Sequence, residues 1–339
     1  MTSIDKGIDE IQGVYRYKGP VPVNLKFVCV YMFKVDGQTV MFDAGFSYPT
    51  WGRSFFTFLR DNPSFKKVDF CIVSHFHVDH VGYIKRLKRK YPDMQLLMHE
   101  FTRDIIKWHT DPANSKVITE KAKKVSCNAM EYGLDPLNAK KIGQYLVNLP
   151  KMVHFQEPDR ILHDGEEISI GSRLFEFVWT PGHTIDHMCM FDKDKKYLFS
   201  GDHILSQITP HIGTFDVSPD FNKDVDFSDP LKLYLESLEK LGKLNPTITF
   251  PSHQDIIYNM DERIMEIKLH HEERLNAISN LIRDNPMSPL KIANIHFGEN
   301  LDEMNHLLAL NEVASHLIFL ENQGKIKRMK KDGKYLFSS

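Results

Sequence analysis

The segment Ser74-His75-Phe76-His77-Val78-Asp79-His80 constrains this chain more than any other feature. With 17 histidines in 339 residues, an H-x-H-x-D-H pattern arises by chance on the order of a few times per thousand such chains. It follows VDFCIVS (68–74), which reads as a buried strand. Residues i and i+2 at the end of an extended segment point to the same side, so His75 and His77 can reach one metal ion. As the chain turns into a helix beginning near His80, Asp79 and His80 swing toward a neighbouring position and offer an oxygen and a nitrogen to a second ion.

The surrounding pattern is α/β. Residues 25–34 and 39–42 read as strands joined by an Asp36-Gly37 turn, followed by a helix over about 51–61, the strand 68–74, a helix over about 80–90 and the strand 95–99. Residues 100–150 lose the strand pattern, and 117–148 read as two helices broken near Gly133 and Pro136. Sheet resumes with EEISI and LFEFVWT around Gly171-Ser172, then MCMF and KYLFS. A helix over about 229–242, the strand TITFP and a long charged helix over 261–284 complete this part, and Asn285-Pro286 ends the helix. These patterns predict a catalytic domain over 1–260 with a helical insertion at about 100–150. A linking helix and a small, mainly helical C-terminal unit occupy 261–339.

Three further candidates stand where strands end: His183 after FEFVWTPG, Asp202 after YLFSG and His253 after ITFPS. Ligands at several strand ends gather at one sheet edge, where α/β proteins commonly place their sites. His99, His187, His203, His211 and the His270-His271 pair read as structural histidines.

The H-x-H-x-D-H segment, Thr-Pro-Gly-His turn, Ser-Gly-Asp and late histidine together resemble the metallo-β-lactamase superfamily over residues 20–260. The resemblance implies an αββα four-layer sandwich. It implies one ion on His75, His77 and His183, a second on Asp79, His80 and His253, and Asp202 bridging them. Asp79 and Asp202 then count as catalytic as well as ligating, and Asp43, in FDAG, is the usual acid behind a ligand, fixing its tautomer. Nitrogen- and carboxylate-rich sets suit zinc, with iron or manganese acceptable. The implied chemistry is hydrolysis, in which a metal-bridging water ionises near neutral pH and the metal polarises the scissile group.

Substrate class stays open between three readings. The insertion at 100–150 and the loop 205–229 favour a small-molecule ester, thioester or lactone, because both attach near the metal edge and can wall a pocket. The stretch ITPHIG in that loop resembles a branch whose members carry a winged-helix-like C-terminus, and the metal motifs resemble glyoxalase II. That family's basic substrate-binding residues have no match here. Nuclease action on RNA or DNA is the alternative, since KIKRMKKDGK (325–334) places Lys327, Arg328, Lys330 and Lys331 on a predicted wing. An iron-dependent sulfur dioxygenase uses a similar ligand set.

A net charge of −2 argues against a surface devoted to nucleic acid. The start MTSIDKGIDEIQG lacks an apolar core behind a basic segment, and no run of about 18 apolar residues occurs, so neither secretion nor a membrane span is expected. The cytoplasm is the expected compartment. Cys29, Cys71, Cys127 and Cys189 are scattered singly and read as reduced core residues. The apolar spacing of Leu307, Leu310, Val313, Ala314, Leu317, Ile318 and Leu320 makes a packed helix, covering the active-site edge or forming a homodimer.

Overall fold

The computed structural model describes residues 8–21, 26–148, 152–213, 219–221 and 226–339. One sheet of seven strands keeps chain order: β1 (Ile8–Ile11), β2 (Val14–Pro20), β3 (Phe27–Val35), β4 (Gln38–Phe42), β5 (Phe70–Ile72), β6 (Gln95–His99) and β7 (Arg160–Leu162). The first four form an antiparallel meander and the rest add in parallel. Parallel neighbours need crossovers. The helices α1 (Pro49–Asp61), α2 (Val78–Val81) and α3 (Ile84–Lys90) supply them, followed by α4 (Glu100–Thr110), α5 (Ser115–Glu131) and α6 (Pro136–Asn148) of the insertion. The second sheet has the order β12 (Ile248–Pro251), β11 (Tyr197–Gly201), β10 (Met188–Asp192), β9 (Arg173–Trp179), β8 (Glu166–Ile170), with α7 (Pro230–Gly242) between β11 and β12.

Strand periodicity turns these sheets into layers. Val28, Val30 and Met32 of β3 face α1 and α3 through Trp51, Phe55, Leu59, Ile84 and Leu87. The alternate residues Cys29, Tyr31, Phe33 and Val35 face the second sheet, meeting Phe175, Phe177, Met190, Phe199 and Phe250. On the far side of that sheet, Val178, Cys189, Phe191 and Leu198 pack on α7 and on α8 (Met260–Leu281). The result is the four-layer αββα arrangement. Phe33, Phe199 and Phe250 stack at 5.0–5.2 Å in the middle of the sandwich, and burying each contributes roughly 1.5–3 kcal/mol.

The chain ends with α9 (Pro289–Phe297), α10 (Glu303–Asn322) and the hairpin β13 (Lys327–Lys331) and β14 (Lys334–Ser338). The apolar surface of α10 is covered within the chain. Leu307, Leu310 and Ala314 pack on Ile118, Ala122 and Ile142 of α5 and α6, while Val313, Leu317 and Leu320 pack on Ile278, Ile282, Ile292 and Phe337.

Some expectations change. The sheet starts before residue 25, with a hairpin that turns at Gln12-Gly13, both at positive φ (49° and 85°). Cys29, Cys71 and Cys189 are buried free thiols, but Cys127 is exposed, because it lies on the polar face of α5 beside Lys123 and Lys124. Within the loop 205–229, residues 214–218 and 222–225 lie outside the described residues. No helix among the described residues is long and apolar enough to cross a membrane.

Candidate metal centre

β4 and β5 run parallel in one sheet, and β11 and β12 run parallel in the other. The residues that follow their C-terminal ends are Asp43, His75, Asp202 and His253, and they meet at one edge of the sandwich. The two sheets are tied there by backbone bonds from Met188 N to Ser74 O (2.8 Å) and Cys29 N to Ser252 O (2.7 Å).

The seven candidate ligands come together in two groups. His75 Nε2 and His183 Nε2 stand 2.9 and 3.2 Å from His77 Nδ1. With Asp202, these residues offer atoms that all lie within 4.8 Å of one another, and Asp79, His80 and His253 form a second such group. Asp202 Oδ2 lies 3.6 Å from His183 Nε2, 3.5 Å from His80 Nε2 and 3.4 Å from His253 Nε2, so one oxygen serves both groups. Asp79 adds Oδ1 at 3.7 Å from His80 Nε2 and Oδ2 at 3.5 Å from His253 Nε2.

Partners behind the rings fix which nitrogen faces inward. His183 Nδ1 donates to the His211 carbonyl (2.8 Å) and His253 Nδ1 to the Phe27 carbonyl (2.7 Å). A carbonyl only accepts, so each Nδ1 carries a proton, and Nε2 is the nitrogen that presents a lone pair when the ring is neutral. His80 Nδ1 donates to Asp43 Oδ2 (2.8 Å). Asp43 also accepts from Ser74 N (2.8 Å), Ser74 Oγ (3.0 Å) and Ser252 Oγ (2.9 Å), and it is fully buried at φ 66°. A left-handed aspartate is strained by about 1–3 kcal/mol, and these bonds hold it there. Behind Asp202, His187 Nε2 accepts from its backbone N–H (3.1 Å) while Nδ1 donates to Thr180 Oγ1 (2.8 Å). Gly201 (φ 53°) permits this approach, since a Cβ there would sit 2.5 Å from His187 Nε2.

The two groups differ electrostatically. Burial pushes His75 well below the usual histidine range and His77 down to about 3, and it lowers His183 as well. Burial opposes charge on His80 and His253 too, but Asp202 first and then other carboxylates outweigh it. His80 is raised well above its ordinary value and His253 up to about 10. The same histidines hold Asp79 and Asp202 below the carboxylate range against burial. His80 Nε2, His253 Nε2 and Asp202 Oδ1 are buried with no hydrogen-bond partner. Buried polar atoms are rarely left so. Inward lone pairs of nitrogen and carboxylate oxygen around a shared space fit divalent ions such as zinc.

Sequence reasoning did not single out Ser74, Ser252, the carbonyls of Phe27 and His211, or Tyr145, and it gave His187 no link to a ligand. Burial, and then the charge of Asp79, raises the phenol of Tyr145 on α6. His203 is buried against the His187 and Tyr234 rings, and His99 accepts from Phe101 N (3.2 Å) and stacks on Trp179. Neither belongs to the two groups.

Comparison with known proteins bears on this geometry. The pattern described as the metallo-beta-lactamase superfamily matches residues 23–253, which is most of the chain. The chain belongs to the metallo-β-lactamase superfamily. A beta-lactamase domain protein from Burkholderia ambifaria superposes with TM-score 0.82 at 25% identity, covering 98% of this chain and 95% of that one. The metallo-beta-lactamase family protein TTHA1429 from Thermus thermophilus shares the fold, with TM-score 0.77 at 22% identity over 97% and 99% of the two chains. Among curated relatives, the lactamase-like protein nscB of Aspergillus fumigatus is 29% identical over 141 residues, 41% of this chain and 38% of that protein. The atrochrysone carboxyl ACP thioesterase of the same organism is 20% identical over 270 residues, 78% of this chain and 64% of that protein. The matched part of the chain thus spans less than two thirds of either relative.

Proposed function

We propose that the chain is a binuclear metallohydrolase acting on a small-molecule ester, thioester or lactone, with thioesters foremost. The observation that carries the reading is Asp202 Oδ2, a single oxygen within 3.4–3.6 Å of histidine nitrogens from both groups. In this reading His75, His77 and His183 hold one ion, Asp79, His80 and His253 hold the other, and Asp202 serves both. Zinc suits this donor set best, with iron or manganese acceptable. A bound metal pair supplies a water that ionises near neutral pH and an electrophile for the scissile oxygen.

The chain's own groups prepare that chemistry. Asp43 and the Phe27 and His211 carbonyls keep three imidazoles in the tautomer that turns Nε2 inward. His187 orients Asp202 through its backbone N–H. Phe101, Trp179, Phe221 and Phe227 form an aromatic group at the end of β9, four residues before His183, suited to an apolar acyl portion.

The thioesterase relative supports placing thioesters first. Nuclease action draws less support. Lys330 pairs with Glu131 (2.6 Å) and Arg328 with Glu321, so half of the proposed phosphate-contacting residues are already neutralised. The test is a hydrolysis screen of metal-loaded protein over acyl thioesters, lactones, β-lactams, phosphodiesters and RNA. Turnover of thioesters or lactones abolished by a chelator is expected. RNA or phosphodiester cleavage with no ester or thioester turnover would reverse the order.

A further inference from the structure

The loop that supports His183 is itself held by the last long helix of the chain, from residues about one hundred positions away. His183 Nδ1 donates to the His211 carbonyl (2.8 Å). The next residue, Ile212, is fully buried and gripped on both sides by α10. Its N–H donates to Glu312 Oε2 (3.3 Å), and its carbonyl accepts from Ser315 Oγ (3.0 Å). Asn311 Nδ2 stands 3.2 Å from His211 Nε2. A Cβ at Gly213 would come 2.2 Å from Asn311 Nδ2, so a larger residue there would have to displace the Asn311 side chain. Glu312 is fixed from behind by Arg274 of α8, whose Nη1 donates to Oε1 (2.7 Å).

A third buried group, His271, Glu312 and His316, adjoins this grip. Two hydrogen bonds join it, with His271 Nδ1 donating to His316 Nε2 (3.0 Å) and His316 Nδ1 donating to the Glu312 carbonyl (2.7 Å), while His271 Nε2 is buried with no partner. These bonds anchor the Glu312 turn of α10 to α8. Without them and the Arg274 pair, a buried carboxylate facing a backbone N–H would be costly to keep in place.

We infer that Glu312, with Asn311 and Ser315, is a positioning residue for the metal centre. By fixing residues 211–213 it aims the His211 carbonyl at His183 and so sets the orientation of one metal ligand. The C-terminal unit is then part of the centre's support. His253, backed by the Phe27 carbonyl of the first sheet, needs nothing from α10. The inference rests on the proposed ligand set, and it predicts an asymmetry between the two ions that the ligand set alone does not.

The test uses full-length protein loaded with zinc or cobalt(II), with each ion's affinity read by chelator competition and its geometry by the cobalt visible spectrum. H183A and H253A serve as references for the loss of each position. Removing partners that orient a ligand typically weakens metal binding by about 10–100-fold. E312A should do this for one ion, giving a weaker form of the H183A profile, and leave the ion lost in H253A in place. E312Q, which keeps an oxygen facing Ile212 N–H, should restore most of the affinity. Should E312A fail to fold, S315A and N311A carry the test with a smaller loss at the same position. Folded variants with lower melting temperature but both affinities and the spectrum unchanged would overturn the inference. Equal weakening of both ions would overturn it as well. A wild-type chain that takes up no metal would instead overturn the ligand set on which it rests.

Discussion

The His75–His77–His183 group and the Asp79–His80–His253 group sit side by side and share Asp202, yet they are built differently. The first draws two candidate ligands from one short segment and a third, His183, that is backed by a separate loop braced by α10, and burial disfavours protons on its histidines. The second is braced from within the sandwich, by Asp43 and the Phe27 carbonyl, and neighbouring carboxylates favour protons on its histidines. One fold edge thus offers a ready-made neutral nitrogen cluster beside a carboxylate-rich position where protons and metal compete.

Asp202 is the element common to both, so its loss should have the largest effect. Asp202→Ala is expected to weaken binding of both ions and to lower kcat/KM by roughly 1,000-fold, about 4 kcal/mol in transition-state terms. His75→Ala and His253→Ala should each cost less and each affect mainly one ion. Equal losses for all three in metal content and kinetics would break the idea of a shared oxygen.

Proton release sharpens the contrast. Near pH 7.5, an ion entering the second group must displace protons from His80, raised well above its ordinary value, and from His253, raised to about 10. An ion entering the first group meets His75, His77 and His183 already lowered. Metal affinity depends on pH through such displaced protons. As pH falls from 7.5 to 6, affinity should therefore drop steeply for one ion and little for the other. Calorimetric titration in buffers of different ionisation enthalpy would show more protons released with one ion than with the other. Equal proton release for both would erase the distinction.

The smallest effect is expected far from both groups. The hairpin β13–β14 is ion-paired to α5 and α10, not to the centre. Replacing Lys327, Arg328, Lys330 and Lys331 with alanine should leave metal content and ester hydrolysis unchanged, and neither form should bind nucleic acid at physiological salt. A salt-sensitive RNA or DNA affinity lost in the quadruple variant would move the hairpin into the function.

The candidate ligands were legible because four of them occupy six consecutive positions and the others follow recognisable strand ends, where side-chain identity and spacing carry the signal. The αββα layering was implied by the same motifs, and β3, with every residue but two buried, shows why: its two faces feed two different cores. What supports the ligands was mostly hidden. The Phe27 and His211 carbonyls act through the backbone, which any residue provides, and Glu312 meets Ile212 only after the chain has folded back across one hundred positions. α10 read correctly as a packed helix, but its apolar residues face α5, α6, α8 and α9 in turn, and no single periodic stripe could name its neighbours. The hairpin at Gln12-Gly13 was missed because glutamine is not a residue that marks a tight turn.

The most direct measurement is metal stoichiometry. Protein stripped with chelator, reconstituted with zinc and passed through a desalting column should carry close to two ions per chain by elemental analysis, falling to one in H183A and one in H253A. A chain that holds one tightly bound iron and accepts no second ion after reconstitution would contradict the binuclear account and favour dioxygen chemistry over hydrolysis.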